Sequence, residues 1–225
     1  MNAAPSIVLR LALAGALACA AGMWPPPAAG AGPAALEALR LPAGSRREPL
    51  ADAMWLHGMP ARVQVFDAPL GVSDLVRFLS GQQPALADLR VLPGQAILSG
   101  RIGHEQWIVQ MEGLGPRRTV GSISAADTRA MAGPPRPQWL PAGGRLRLDI
   151  AVRDGGVLVT ERIWQYGEPP ARLARRVAQS LKRAGWRPLP AAGAPQWWTK
   201  GAARLRISLA PLAAGSGLLA SGWTP

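Results

Sequence analysis

The chain of 225 residues contains one cysteine, two histidines and one tyrosine. The side chains that most often act as nucleophile, general base or metal ligand are therefore scarce. No stretch reads as a Gly-rich phosphate loop, a His-Glu metal motif or a nucleophile elbow, and Gly215-Ser216-Gly217 fits a hairpin turn better. His57 precedes Gly58 in a turn, while His104 and Glu105 are neighbours on a strand and point to opposite faces. The carboxylates Glu105, Glu112, Glu161 and Glu168 are scattered, each balancing a nearby arginine. These absences lead to the expectation of a protein that is not an enzyme and holds no cofactor or metal. The competing class is a hydrolase that acts on an envelope polymer through two such carboxylates brought together by the fold.

Long apolar runs are missing as well. Leu11 to Gly22 is uncharged and greasy, follows the single charge of Arg10, and is cut short by Pro25-Pro26-Pro27. A bilayer-spanning helix needs about 20 apolar residues, so this segment reads as an export signal, with cleavage after Ala18, Ala20 or Ala31. Ala16-Leu17-Ala18-Cys19 looks like a bacterial lipoprotein box, although Ala16 and Leu17 reverse the usual order. Cys19 is thus either a lipidation site, which would place the protein at the outer membrane, or part of a discarded signal. In the second case the mature, periplasmic chain has no thiol, and disulfides and thiolate chemistry drop out.

What is abundant is turn chemistry, with Gly 26 and Pro 23 in a chain that is 48% hydrophobic. That composition predicts many short elements and an α+β fold of mostly antiparallel sheet. The segments read as an export signal and the start of a linker (1–31), a flexible Pro/Ala-rich linker with at most a turn of helix and no core (32–52), a first α+β unit (53–126), a Pro-rich linker (127–144) and a second, basic α+β unit (145–225). In the first unit, Ala53 to Leu56 and Arg62 to Phe66 read as strands. Val72, Leu75, Val76 and Leu79 have the i, i+3, i+4, i+7 spacing of a helix that Gly81 would cap. Strands follow over Leu89 to Ser99, interrupted at Pro93-Gly94, then His104 to Met111 after a Gly100 to Gly103 turn, and Thr119 to Ala125, with Trp107, Val109 and Met111 on one face. In the second, a hairpin spans Arg145 to Tyr166 and a helix Ala171 to Ala184, with Ala174, Val177, Ala178 and Leu181 inward and Gly185 as cap. Short strands complete it at Trp186 to Pro190, Gln196 to Thr199, Arg204 to Ala210 and Gly217 to Ser221. The shared order suggests an internal duplication; two generic α+β layouts would look the same.

The net charge is +12, and no acidic residue follows Glu168. The C-terminal quarter is therefore a single-sign field that attracts anions. Candidate anion- or partner-binding residues are Arg172, Arg175, Arg176, Lys182 and Arg183 on the helix, then Trp197, Trp198, Lys200, Arg204 and Arg206. The two indoles would face opposite sides of a strand, one in the core and one available for stacking. The general appearance is similar to that of envelope proteins of high-GC Gram-negative bacteria, a likeness of composition that carries over no functional residue. The expected role is an accessory or assembly component docking another envelope protein through sheet edges or linker. The alternative is a binder of an anionic envelope polymer or membrane surface through the basic unit. Export argues against nucleic acid as the partner.

Overall fold

A computed structural model of the protein describes residues 36–190 and 195–225. The segment read as an export signal and Cys19 lie outside the described residues. Among the described residues the fold is mostly antiparallel sheet with two α-helices, and the chain divides into two compact units. The described part of the first comprises residues 36–51 and 59–131; the second comprises 52–58 and 132–225.

The first unit contains β1 (Arg46–Pro49), β3 (Met59–Ala68), α1 (Val72–Gln82), β4 (Leu86–Leu92), β5 (Gln95–Ile102), β6 (Glu105–Gly115) and β7 (Arg118–Asp127). β7 returns to pair with β3, and β6, β5 and β4 follow outward in that order. The period of two along β6 turns Trp107, Val109 and Met111 into the core, where Ile123, Phe66 and Leu98 join them. Leu75 and Leu79 of α1 are buried against that face. The helix does not stop at Gly81, as the glycine signal predicts; it continues to Gln82, with Gln83 as an extended cap. The following Pro84 is the reason, because a residue before proline is pushed out of the helical region. Gly121 sits opposite Phe66, and a Cβ there would lie 2.7 Å from the phenyl ring and 2.0 Å from the Gln110 carbonyl oxygen.

The segment read as a flexible linker is part of this unit. Leu36 opens a short 3-10 turn and is fully buried, Leu39 is buried beside it, and β1 pairs with β3. Arg47 holds the turn by donating to the carbonyls of Leu36 at 2.6 Å and Leu39 at 2.7 Å, and to Gln64. Pro/Ala-rich composition hid the segment because its order comes from partners distant in sequence, the Arg47 guanidinium on the carbonyls of the turn and the β3 ladder on β1.

The second unit contains β2 (Ala53–Leu56), β8 (Arg145–Asp154), β9 (Val157–Tyr166), α2 (Pro170–Arg183), β10 (Arg187–Pro188), β11 (Gln196–Lys200), β12 (Ala203–Leu212) and β13 (Gly215–Thr224). β2, placed by its sequence position at the head of the first unit, pairs with β8 and belongs to the second. β13 pairs with β9, and β12, β11 and β10 follow outward. Pro170 occupies the first turn of α2, where a missing N–H costs nothing. Gly185, at φ 83°, closes the helix: its N–H bonds the Lys182 carbonyl and that of Trp186 the Leu181 carbonyl, a Schellman ending. The buried stripe is Leu173, Val177 and Leu181, with Ala178 half-buried. The expected register put Ala174 in that stripe, but the larger Leu173 takes the place and Ala174 is only partly covered.

The Pro-rich segment 127–144 is likewise no free linker over its second half. Trp139 is buried edge-on against Trp164, with ring centroids 6.2 Å apart. The Tyr166 hydroxyl donates to the Pro141 carbonyl at 2.9 Å, and Arg162 donates to the Pro134 carbonyl at 3.1 Å. Gly144 lets the segment cross the Tyr166 ring, since a Cβ there would lie 2.5 Å from it.

Two substitutions test these reassignments. Leu36→Ala should cost about 2–5 kcal/mol and Trp139→Ala about 3–5 kcal/mol in urea unfolding, as for core truncations. Losses under about 0.5 kcal/mol would return either segment to the status of a linker.

Candidate functional site

The residues singled out by charge and aromaticity are all in the second unit, but they do not share a surface. On the outer side of α2, Arg176 pairs with the carboxylate of Glu168 and donates to the Ala142 carbonyl at 3.0 Å. Arg172 lies 3.5 Å from the same carboxylate. The last acidic residue of the chain thus neutralises the start of the basic helix. Arg175, Lys182 and Arg183 are exposed, with no ion pair among the described residues. Lys200 is drawn to the other end of the helix, where its Nζ donates to the Ala184 carbonyl at 2.8 Å, as a cation suits a helix C-terminus.

The pair Trp197-Trp198 splits as strand alternation requires. Trp198 stands opposite Leu205 in the core under α2. Trp197 is on the other face, stacked on Trp223 at 5.5 Å with an interplanar angle of 26°. Arg206 lies 6.0 Å from each of those two rings, and Arg204 is exposed on the same strand. The basic helix and the Trp197 platform flank opposite faces of one sheet, so the arginines beside the platform are those of β12, Arg206 and Arg204.

That second face holds a group that sequence reasoning left among the scattered carboxylates. Trp197, Arg206, Ser221 and Glu161 are aligned on one rung across β11, β12, β13 and β9. Glu161 is buried; it accepts from the Ser221 hydroxyl at 2.8 Å, and Ser221 accepts from Arg206 at 3.1 Å. Burial raises the Glu161 pKa above its ordinary value, against the opposing pull of the Ser221 hydrogen bond and the Arg206 charge. Neither of two open hollows includes it. One, of about 550 Å³, is lined by Leu39, Phe78 and Trp107, the other, of about 460 Å³, by Ile163, Leu219 and Leu212. The rung has the character of a polar seam across the sheet. No single-residue signal marks it, since the register that assembles it joins segments up to 60 residues apart.

An exposed sheet edge lies in the first unit. β4 ends the sheet order, with β5 its only partner among the described residues. Of its seven residues only Leu86 is buried. Leu89, Val91 and Leu92 are exposed, Val91 at 76%. Leu89 and Val91 stand opposite the buried Leu98 and Ala96, so they extend the core face to its open rim. Asp88 and Arg90 alternate with them on the other face, and the Ser99 hydroxyl donates to Asp88 at 3.2 Å. A strand in this position presents a row of unpaired backbone N–H and C=O groups.

The chain matches no protein-family model, no curated protein and no solved structure.

The Glu161 seam has a pH signature. With a raised folded-state pKa, the contribution of this group to stability is complete below its ordinary value of 4.5 and is lost as pH rises through the raised value. Glu161→Gln keeps an acceptor for Ser221 and never ionises. It should melt above wild type near pH 7, with the gap closing toward pH 4; a gap independent of pH would refute the buried-carboxylate account.

Proposed function

We propose that the protein is an exported, non-catalytic accessory or assembly component of the cell envelope that docks another envelope protein by taking a strand of that protein onto β4. The observation that carries this reading is the edge itself, a seven-residue terminal strand with three exposed aliphatic side chains. Soluble proteins blunt such edges with shortness, proline or a cover, because a bare edge captures other strands. The corresponding edge of the second unit is blunted in that way: β10 has two residues and ends in Pro188. Main-chain pairing would supply affinity, and the Leu89–Val91 rim would select apolar side chains on alternate positions of the incoming strand.

The two units are read as a duplication. Supporting this, each contains a run of strand, helix and four strands in which the last strand returns beside the strand before the helix, β7 beside β3 and β13 beside β9. Export is supported by the apolar segment Leu11 to Gly22, and a non-catalytic role by the scarcity of cysteine, histidine and tyrosine. Binding of an anionic polymer or membrane surface is the second reading, favoured by exposed Arg175, Lys182 and Arg183. It is the weaker one, because Glu168 already engages Arg172 and Arg176.

Photo-crosslinking in cells separates the two. A photoreactive side chain at position 91 should yield one discrete protein adduct that survives high salt, while one at position 183 should not. An adduct confined to position 183, lost with salt and with the triple change Arg175→Glu, Lys182→Glu, Arg183→Glu, would replace docking with anion capture.

A further inference from the structure

We propose that a second copy of this chain covers β4 when no partner strand occupies it, the two β4 strands pairing antiparallel about a two-fold axis at Leu89. The inference rests on the reading of β4 as the docking edge and adds its regulation: the edge is stored in a self-paired form that an incoming strand must displace.

The charge pattern of the strand carries the argument. β4 reads Leu86-Ala87-Asp88-Leu89-Arg90-Val91-Leu92, with one acid and one base flanking the central leucine. Antiparallel pairing centred on Leu89 sets Asp88 of each copy opposite Arg90 of the other. Both charged pairs lie on the face away from α1, because Asp88 and Arg90 alternate with the core-side Leu89 and Val91. On the helix side Leu89 meets Leu89, while Val91 comes opposite Ala87, the residue at which the β4 ladder shifts register, so the exposed rim of each core continues into the other at Leu89. Directly opposed charges and apolar pairs of this kind are the stabilising unit of antiparallel sheets. Neighbouring registers lack this match. A two-fold at Arg90 would oppose two guanidinium groups, and one at Asp88 would oppose two carboxylates. Such an interface is isologous, with the same patch used by both copies, and closes on itself as a dimer.

The strand also sets how strong the pairing can be. The register shift between Leu86 and Asp88 interrupts the ladder at one end, and the Pro93-Gly94 turn, with Gly94 at φ 80°, ends it at the other. Regular pairing is thus limited to a few residues per copy. The dimer should be weak and concentration-dependent, as a form that yields to a better-fitting strand must be.

Sedimentation equilibrium on the full chain with Cys19→Ser tests the proposal through charge reversal. Asp88→Arg and Arg90→Asp each set like charges face to face and should weaken self-association about tenfold or more, whereas the double variant restores opposite charges and should recover wild-type association to within about threefold at low salt. All these positions are exposed, so the variants should keep the wild-type circular dichroism spectrum. In the same background Leu89→Cys should oxidise to a disulfide-linked dimer across the axis, while Val91→Cys, which faces Ala87 of the other copy, should not. A wild-type chain that stays monomeric at high concentration, a dimer indifferent to either reversal, or a double variant as weak as the single ones would overturn self-pairing. If that happens while position 91 still crosslinks a partner protein, docking stands and only its self-paired form is lost. If charge reversal behaves as described but position 91 crosslinks nothing except a second copy, self-pairing stands and docking falls.

Discussion

Each unit depends on one long-range pairing, that of its last strand with the strand that leads into its helix. β7 must find β3, and β13 must find β9, before the intervening helix has an apolar face to rest on. That closure decides what is central and what is peripheral. Once β7 lies beside β3 and β6, β5 and β4 follow in a meander, β4 is left at the end of the strand order with β5 as its one partner among the described residues. The exposed edge is a result of strand order, as is the contrast with β10, where the corresponding position is held by a strand too short and too proline-limited to be extended.

The same dependence explains which features could be read from the amino acids alone. Helix α2 was visible in its apolar spacing and its closing glycine, since both signals are local. Helix α1 was visible, but its end was misplaced by one glycine because the proline two residues beyond the helix outweighs it. The hairpin of β8 and β9 followed from clean alternation and two adjacent glycines in left-handed conformation. Leu36 and Trp139 were hidden in segments whose composition signals a linker. Each is buried because a partner distant in sequence receives it. Of the candidate binding residues, the basic ones were legible as charge, but their grouping was not. Trp197 and Trp198 are adjacent in sequence and lie on opposite faces of a sheet, and Glu168, counted as the end of the acidic residues, turned out to restrain two of the arginines that follow it.

Arginine has a second use here beyond surface charge. Arg47, Arg162 and Arg176 each direct a guanidinium N–H to carbonyls of the irregular segments, which have no ladder to satisfy them. Arg162 is itself buried and balanced by Asp149 at 2.7 Å. Proline-rich backbone cannot donate at every residue but accepts at every one, and a planar donor with several N–H groups suits that imbalance. Part of the basic excess is therefore structural, and net charge overstates the cationic surface available to a partner.

The position of β13 also bears on how the chain acquires its structure. It is hydrogen-bonded on both sides, between β9 and β12, although it occupies residues 215–224. Synthesis delivers this central strand after all the others of its unit, so β9 and α2 wait for a partner some 50 residues downstream. Until it arrives, β9 and β12 each expose a side that the finished sheet keeps inside. The sheet of the second unit is therefore completed only when its last strand is in place, whatever local hairpins, such as that of β8 and β9, form before it.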